Sequence, residues 1–182
     1  MTDRVETLLF LDLATVTGWA VGPIGGKPIS GSQRLAPSGA PSSEVFGNFL
    51  KWLHDMIAVH SPRVVAFEAP LPPSLLRGKT TVDTARRLMG LPAITEAVCN
   101  RMGIHSVLEA RVDDIRQHFI GRRNLPGADG KRAVIARCRQ LGYEPKDDNA
   151  ADALAGFDYV AAVRNPKIAH LRTPLFEKGA RA

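Results

Sequence analysis

Cysteine is scarce: Cys99 and Cys138 are the two in 182 residues. They lie far apart, form no CxxC and fall in stretches of helical character, so both are expected to be buried, reduced thiols rather than disulfide or zinc partners. Long apolar runs are missing too, and none approaches the roughly 20 residues of a membrane-spanning helix. The stretch from Leu8 to Leu13 is short, follows Asp3 and Glu6 and is broken by Asp12, unlike a secretory signal. The cytoplasm is therefore the expected compartment. His54, His60, His105, His118 and His170 show no metal-binding spacing and read as surface or packing residues. There is no internal repeat and no low-complexity segment. Acids are in the minority, 18 against 24 Lys plus Arg, for a net charge of +6. Such a balance biases the chain toward polyanionic partners without deciding fold or reaction.

What is present is ordinary globular composition, 45% hydrophobic and 23% charged, enough for one packed core. The expected organisation is one domain over residues 1–164 and a basic tail over 165–182. Thr7 to Ala14 is a near-continuous apolar run with a single acid, as in a strand buried on both faces. Gly18 to Gly22 reads as its hairpin partner and Ile29 to Leu35 as a third strand. Ser43 is a plausible N-cap for a helix from Glu44 to about His60, with Val45, Phe49, Leu50, Leu53 and Ile57 on one face. Pro62 stops it, and Arg63 to Glu68 is a buried strand ending in an acid. A proline-rich loop with a basic rim (Ala69 to Thr80) precedes a long helix, Val82 to Met102, with Gly90 and Pro92 marking a kink or break. Ile104 to Glu109 is a further strand and Asp113 to Ile120 a short helix. A loop over Gly121 to Gly130 leads to a basic helix, Lys131 to Leu141, and a last helix runs from about Asp148 to Val163. A meander followed by alternating helices and strands predicts a mixed α/β sheet with helices on both faces.

Three acidic features interrupt these apolar elements. Asp12 lies in the first strand, Glu68 ends the fourth, and Asp148 and Asp152 mark the Ala-rich start of the last helix. A carboxylate in a buried strand is costly unless paired or metal-bound. If the first and fourth strands are neighbours, both carboxylates reach one end of the sheet. Asn149 and Asp152 are three apart and Asp148 and Asp152 four apart, so either pair shares a helix face. Oxygen ligands without His or Cys suit Mg²⁺ or Mn²⁺, and two such ions can clamp the attacking and leaving oxygens of a phosphodiester. Each acid also has a plainer role open to it: an ion pair for Asp12, a strand end for Glu68, an N-cap for Asp148, a solvated or capping acid for Asp152.

These motifs, in this order, resemble the RuvC-type Holliday-junction resolvases of the ribonuclease H-like superfamily. LDLATVTGWAV is similar to their first motif, VVAFEAP to the second and DDNAADALA to the terminal acidic helix. The intervening helix, strand and short helix, and the basic KRAVIARCRQLG, are similar as well, so the resemblance spans roughly Leu8 to Val163 and looks most like the phage or prophage branch. It implies a ribonuclease H-like five-stranded mixed sheet with helices on both faces, and a homodimer that cuts branched double-stranded DNA with Mg²⁺ or Mn²⁺, two ions per site. Asp12, Glu68 and Asp152 match the metal-binding acids. Asn149 stands where the family usually has Asp or His, so either it or Asp148 would complete the second metal site. The loop after Glu68 carries Ala-Pro-Leu where some members place an aromatic wedge.

Basic residues supply a candidate DNA track: Arg77 and Lys79 beyond Glu68, Arg86 and Arg87 on the long helix, and Arg122, Arg123, Lys131 and Arg132 around the glycine-rich loop. Such contacts fix register on phosphates without reading sequence. Trp19 and Trp52 read as core or subunit-interface aromatics. Two other functions fit the same pattern: a nucleotide-binding ATPase or kinase-like protein, with Asp12 holding Mg²⁺, and a non-catalytic DNA-binding protein, for which the neutral Asn149 argues.

Overall fold

The computed structural model describes residues 5–70, 81–123, 125 and 127–167. Among these, the strands are β1 (Thr7–Asp12), β2 (Val16–Pro23), β3 (Ile29–Arg34), β4 (Val64–Glu68) and β5 (Ser106–Ala110). The helices are α1 (Ser42–His60), α2 (Val82–Arg101), α3 (Val112–Ile120), α4 (Gly127–Gln140) and α5 (Asp148–Arg164). The sheet order is β3-β2-β1-β4-β5. The β1–β2–β3 meander is antiparallel, whereas β4 runs parallel to β1 and β5 parallel to β4. Mixed pairing and helices on both faces match the sequence expectation.

The period-two alternation of β1 sorts its side chains between two cores. Leu9 and Leu11 join Val65 and Phe67 of β4 against α1 and α2, with Val45, Phe49, Leu53, Leu91 and Cys99. Leu8 and Phe10 join Val64 and Ala66 against α3, α4 and α5, with Ile115, Phe119, Val134, Leu154 and Phe157. All four β1 residues are fully buried, each worth about 1.5–3 kcal/mol relative to exposure. Cys99 and Cys138 are both buried and unbridged, as expected.

Several boundaries depart from expectation. β1 ends at Asp12 rather than Ala14, because Ala14 turns the chain and its carbonyl accepts from the Thr17 hydroxyl (2.8 Å). α1 begins at Ser42 with Pro41 as N-cap and no side-chain cap, so Ser43 does not cap it. Ser42 turns inward and accepts from Arg87 Nε (3.2 Å). α2 is one continuous helix through Gly90 and Pro92. A Cβ on Gly90 would stand 2.5 Å from the Phe46 ring, so this glycine serves the α1–α2 contact and breaks nothing. β5 begins at Ser106 rather than Ile104. α4 starts four residues before Lys131, at Gly127, within the expected loop. Among the described residues no helix is long and apolar enough to cross a membrane.

Candidate active site

Parity places the strand acids. Asp12 follows Leu8 and Phe10 at two-residue spacing, and Glu68 follows Val64 and Ala66, so both point to the sheet face that α5 covers. Parallel pairing runs Leu8↔Val64 to Leu11↔Phe67. The next residue on each strand is the acid, so the two carboxylates stand side by side at the carboxyl ends of adjacent parallel strands. In open α/β sheets this edge is where ligands bind.

The third acid comes from α5, whose start is pinned to the meander. Asp147 is the N-cap and accepts from the Ala150 N–H (2.8 Å), while the Ser32 hydroxyl of β3 donates to its other oxygen. The cap is therefore Asp147, and Asp148 is the first helical residue. Gly18, opposite Asp12 in the β1–β2 register, lies directly beneath. A Cβ there would stand 2.1 Å from the Asn149 carbonyl oxygen, so only glycine lets the helix this close. Farther along, the same argument holds for Gly156, where a Cβ would meet the Phe10 ring at 2.1 Å. Seated in this way, α5 brings Asp152 to the two strand acids.

The carboxylates feel one another. Asp12 is pushed up to about 7, first by burial, then by the Asp152 charge, with Lys131 opposing and Asp148 adding. Glu68 is pushed up to about 8 by burial, then by Asp12 and Asp152, with Arg116 opposing. Burial also raises Asp152, against the pull of Arg116 and Lys131, with Asp148 adding. Asp148 itself is lowered by its hydrogen bond from Lys131.

Among the described residues no three His, Cys, Asp or Glu side chains are drawn together tightly enough to hold an ion as they stand. The three acids nonetheless form one oxygen-only patch in which negative charge is under-compensated, and a hard divalent cation would supply that compensation. The donor chemistry fits Mg²⁺ or Mn²⁺. Asn149, on the first turn of α5, is half-buried beside the patch and carries no charge.

The expected DNA-contacting residues fall into distinct groups. Arg86, Arg122 and Arg123 are exposed, and Arg123 lies 3.7 Å from Asp114. Arg132 pairs with Asp129 on the surface of α4. Lys131 pairs with Asp148 and belongs to the acidic patch itself. Arg87 is engaged inside the fold, donating to Ser42 Oγ, Thr15 Oγ1 (3.4 Å) and the Ala40 carbonyl (2.5 Å). It ties α2 to the start of α1 and to the turn after Asp12. Arg77 and Lys79 lie outside the described residues, as does the tail from residue 168.

Arg116 escaped the sequence reading. It sits on α3, its guanidinium lying over Gly130 of α4, where an added Cβ would be 3.8 Å from its Cζ, and its charge opposes the rise of both Glu68 and Asp152. The available signal was helical spacing: Arg116 precedes the buried Phe119 by three and Ile120 by four, which sets a cation beside the apolar stripe.

No protein-family model matches the chain, and no curated protein sequence matches it. Solved structures do. The chain is similar to T. thermophilus RuvC in complex with Holliday junction substrate, with 17% identity, 89% of this chain and 96% of that chain covered, and a TM-score of 0.66. It is similar to Thermus thermophilus RuvC in a second structure, with 18% identity, coverage of 87% and 95%, and a TM-score of 0.63. The yeast mitochondrial Holliday junction resolvase Ydc2 is similar at 10% identity, coverage of 90% and 83%, and a TM-score of 0.57. At these identities the likeness establishes a shared ribonuclease H-like fold.

Proposed function

We propose that this protein is a metal-dependent, structure-selective endodeoxyribonuclease of the cytoplasm that cuts branched DNA such as Holliday junctions. The observation that carries the reading is the meeting of Asp12, Glu68 and Asp152, from β1, β4 and α5, at the carboxyl edge of the parallel strands. They meet in a fold shared with junction-resolving proteins.

Mg²⁺, with Mn²⁺ as substitute and two ions per site, would supply Lewis-acid stabilisation of the phosphate and a water of lowered pKa. Asp12, flanked by the other two acids, would hold both ions. Glu68 would complete one site, and Asp152 the other with Asn149 or Asp148. Each raised carboxyl must release its proton before it can ligate. The Arg116 guanidinium and the Lys131 ammonium border the acids and would meet the incoming phosphate. Arg86, Arg122, Arg123 and Arg132, with Arg77 and Lys79, would fix the DNA arms through phosphate contacts. A four-way junction has two-fold symmetry and paired cuts need two sites, so a homodimer is the proposed assembly.

The test uses a labelled four-way junction and the matching linear duplex, in Mg²⁺ and in Mn²⁺, beside Asp12→Asn. Paired nicks in the junction alone, lost in the variant while DNA binding is kept or tightened, are expected. Cutting by the variant would sink the assignment of Asp12. Cutting of both substrates would keep the nuclease and remove its selectivity. Binding without cutting in either metal would favour a non-catalytic DNA-binding protein, the reading supported by neutral Asn149 and by Asp148 being tied to Lys131.

A further inference from the structure

Away from the acidic patch, α5 carries a further carboxylate that the proposed chemistry does not use. Asp158 lies six residues beyond Asp152, in a helix whose neighbouring positions are Phe157, Val160 and Ala161, and its side chain is 0% exposed. Placing a carboxylate there costs more than placing a leucine. Its Oδ2 lies 3.0 Å from Nε2 of His118 on α3, whose side chain is 13% exposed. The His118 ring also meets Tyr159 edge-on, with centroids 5.7 Å apart.

The pair therefore joins α3 to the helix that carries Asp152. α3 is nine residues long and its N-cap, Arg111, makes no side-chain cap, so the helix depends on tertiary contacts for its place. Ile115 and Phe119 bury against the core, but apolar contact is non-directional and leaves a short helix free to slide or roll. A hydrogen bond to a fixed carboxylate is directional. Two residues before His118 on the same helix stands Arg116, which lies over Gly130 of α4 and whose charge opposes the rise of Glu68 and Asp152.

We propose that His118 and Asp158 are positioning residues whose bond fixes α3 on α5 and so sets where the Arg116 guanidinium stands, over Gly130 of α4 and within electrostatic reach of the acidic patch. This rests on the nuclease reading for the consequence in catalysis, but the positioning itself is independent of it.

The experiment pairs two readouts on the full chain. The first is ¹⁵N relaxation of the Arg116 Nε–Hε group, assigned with Arg116→Lys. It should be ordered in the wild type, mobile in the double variant His118→Ala/Asp158→Ala, and ordered again in His118→Gln, which keeps a side-chain N–H within reach of Asp158. The double variant removes both ends of the bond, and thermal melting checks that it is folded; if it is not, His118→Ala alone is compared with His118→Gln. The second readout is single-turnover junction cleavage. The double variant should slow by about tenfold or more at unchanged DNA affinity, as expected when a catalytic-site group is displaced by an ångström or so. In an Arg116→Ala background the same two substitutions should add nothing. An Arg116 side chain as ordered in the double variant as in the wild type overturns the proposal, as do rate losses that multiply in the triple variant. If the wild type cuts no branched DNA, the nuclease reading fails, and the relaxation measurement still decides the latch.

Discussion

At the scale of single residues, the site is built on acids held where their charge is penalised. Asp12 at about 7 and Glu68 at about 8 retain protons near neutrality that they would lose in the unfolded chain at about pH 4. A native state that binds more protons than the unfolded state loses stability as pH rises. Without metal, the melting temperature should therefore fall as pH climbs from about 4 through 8, the window set by these two groups. Divalent cations need the deprotonated carboxylates, so the rise in melting temperature on adding Mg²⁺ or Mn²⁺ should be small at pH 6 and large at pH 8.5. Asp12→Asn should flatten both trends and raise the metal-free melting temperature at pH 8. Scanning calorimetry across pH with and without Mn²⁺ checks this, and an unchanged pH trend in the variant would remove Asp12 as the strained acid.

At the scale of elements, α5 is the piece whose seating matters most. Its first turn rests on Gly18 and is held by the Asp147 cap and Ser32, and its middle rests on Phe10 through Gly156. In Gly18→Ala the new methyl would overlap the Asn149 carbonyl, so the start of α5 must lift from the meander. Overpacking of this kind costs about 1–3 kcal/mol, or roughly 3–10 °C in a chain of this size. Because Asn149 and Asp152 move with the helix, cleavage should fall further than stability does. Comparing melting temperature with junction cleavage below the transition checks it; a loss of stability with full activity would mean that the site does not depend on the seat. Arg87 makes the complementary tie from the other face, its guanidinium spent on Ser42, Thr15 and Ala40 rather than left for a ligand.

For the whole molecule, the +6 charge is unevenly spent. Lys131 and Arg116 counter the acidic patch, the half-buried Arg87 is engaged by Ser42, Thr15 and Ala40, and Arg86, Arg122 and Arg123 stay on the surface. If about six phosphates are neutralised per bound DNA, log K against log salt should fall with a slope of roughly −5. Fluorescence anisotropy of a labelled junction from low to moderate salt measures it, and a flat slope would contradict the phosphate track.

The strand acids were legible in the linear chain because each breaks an otherwise apolar run, and two-residue parity already puts them on the face of Leu8, Phe10, Val64 and Ala66. The order of elements was legible for the same reason: apolar periodicity and the Pro and Gly stops are local properties. Boundaries at Ser43 and Gly90 were not, since what bears on them is the Ser42–Arg87 bond and the Phe46 ring, both distant in sequence. Asp148 and Asp147 are both reasonable caps by composition; Ser32 from β3 is part of what distinguishes them. The roles of Arg87 and Lys131 had no linear signature, and the spacing of Arg116 from Phe119 and Ile120 gave its helix face but not what stands opposite it. A cation on a helix reads as surface charge until the fold decides whether a carboxylate, a carbonyl or water stands opposite it, and that depends on which helix lies beside which strand end.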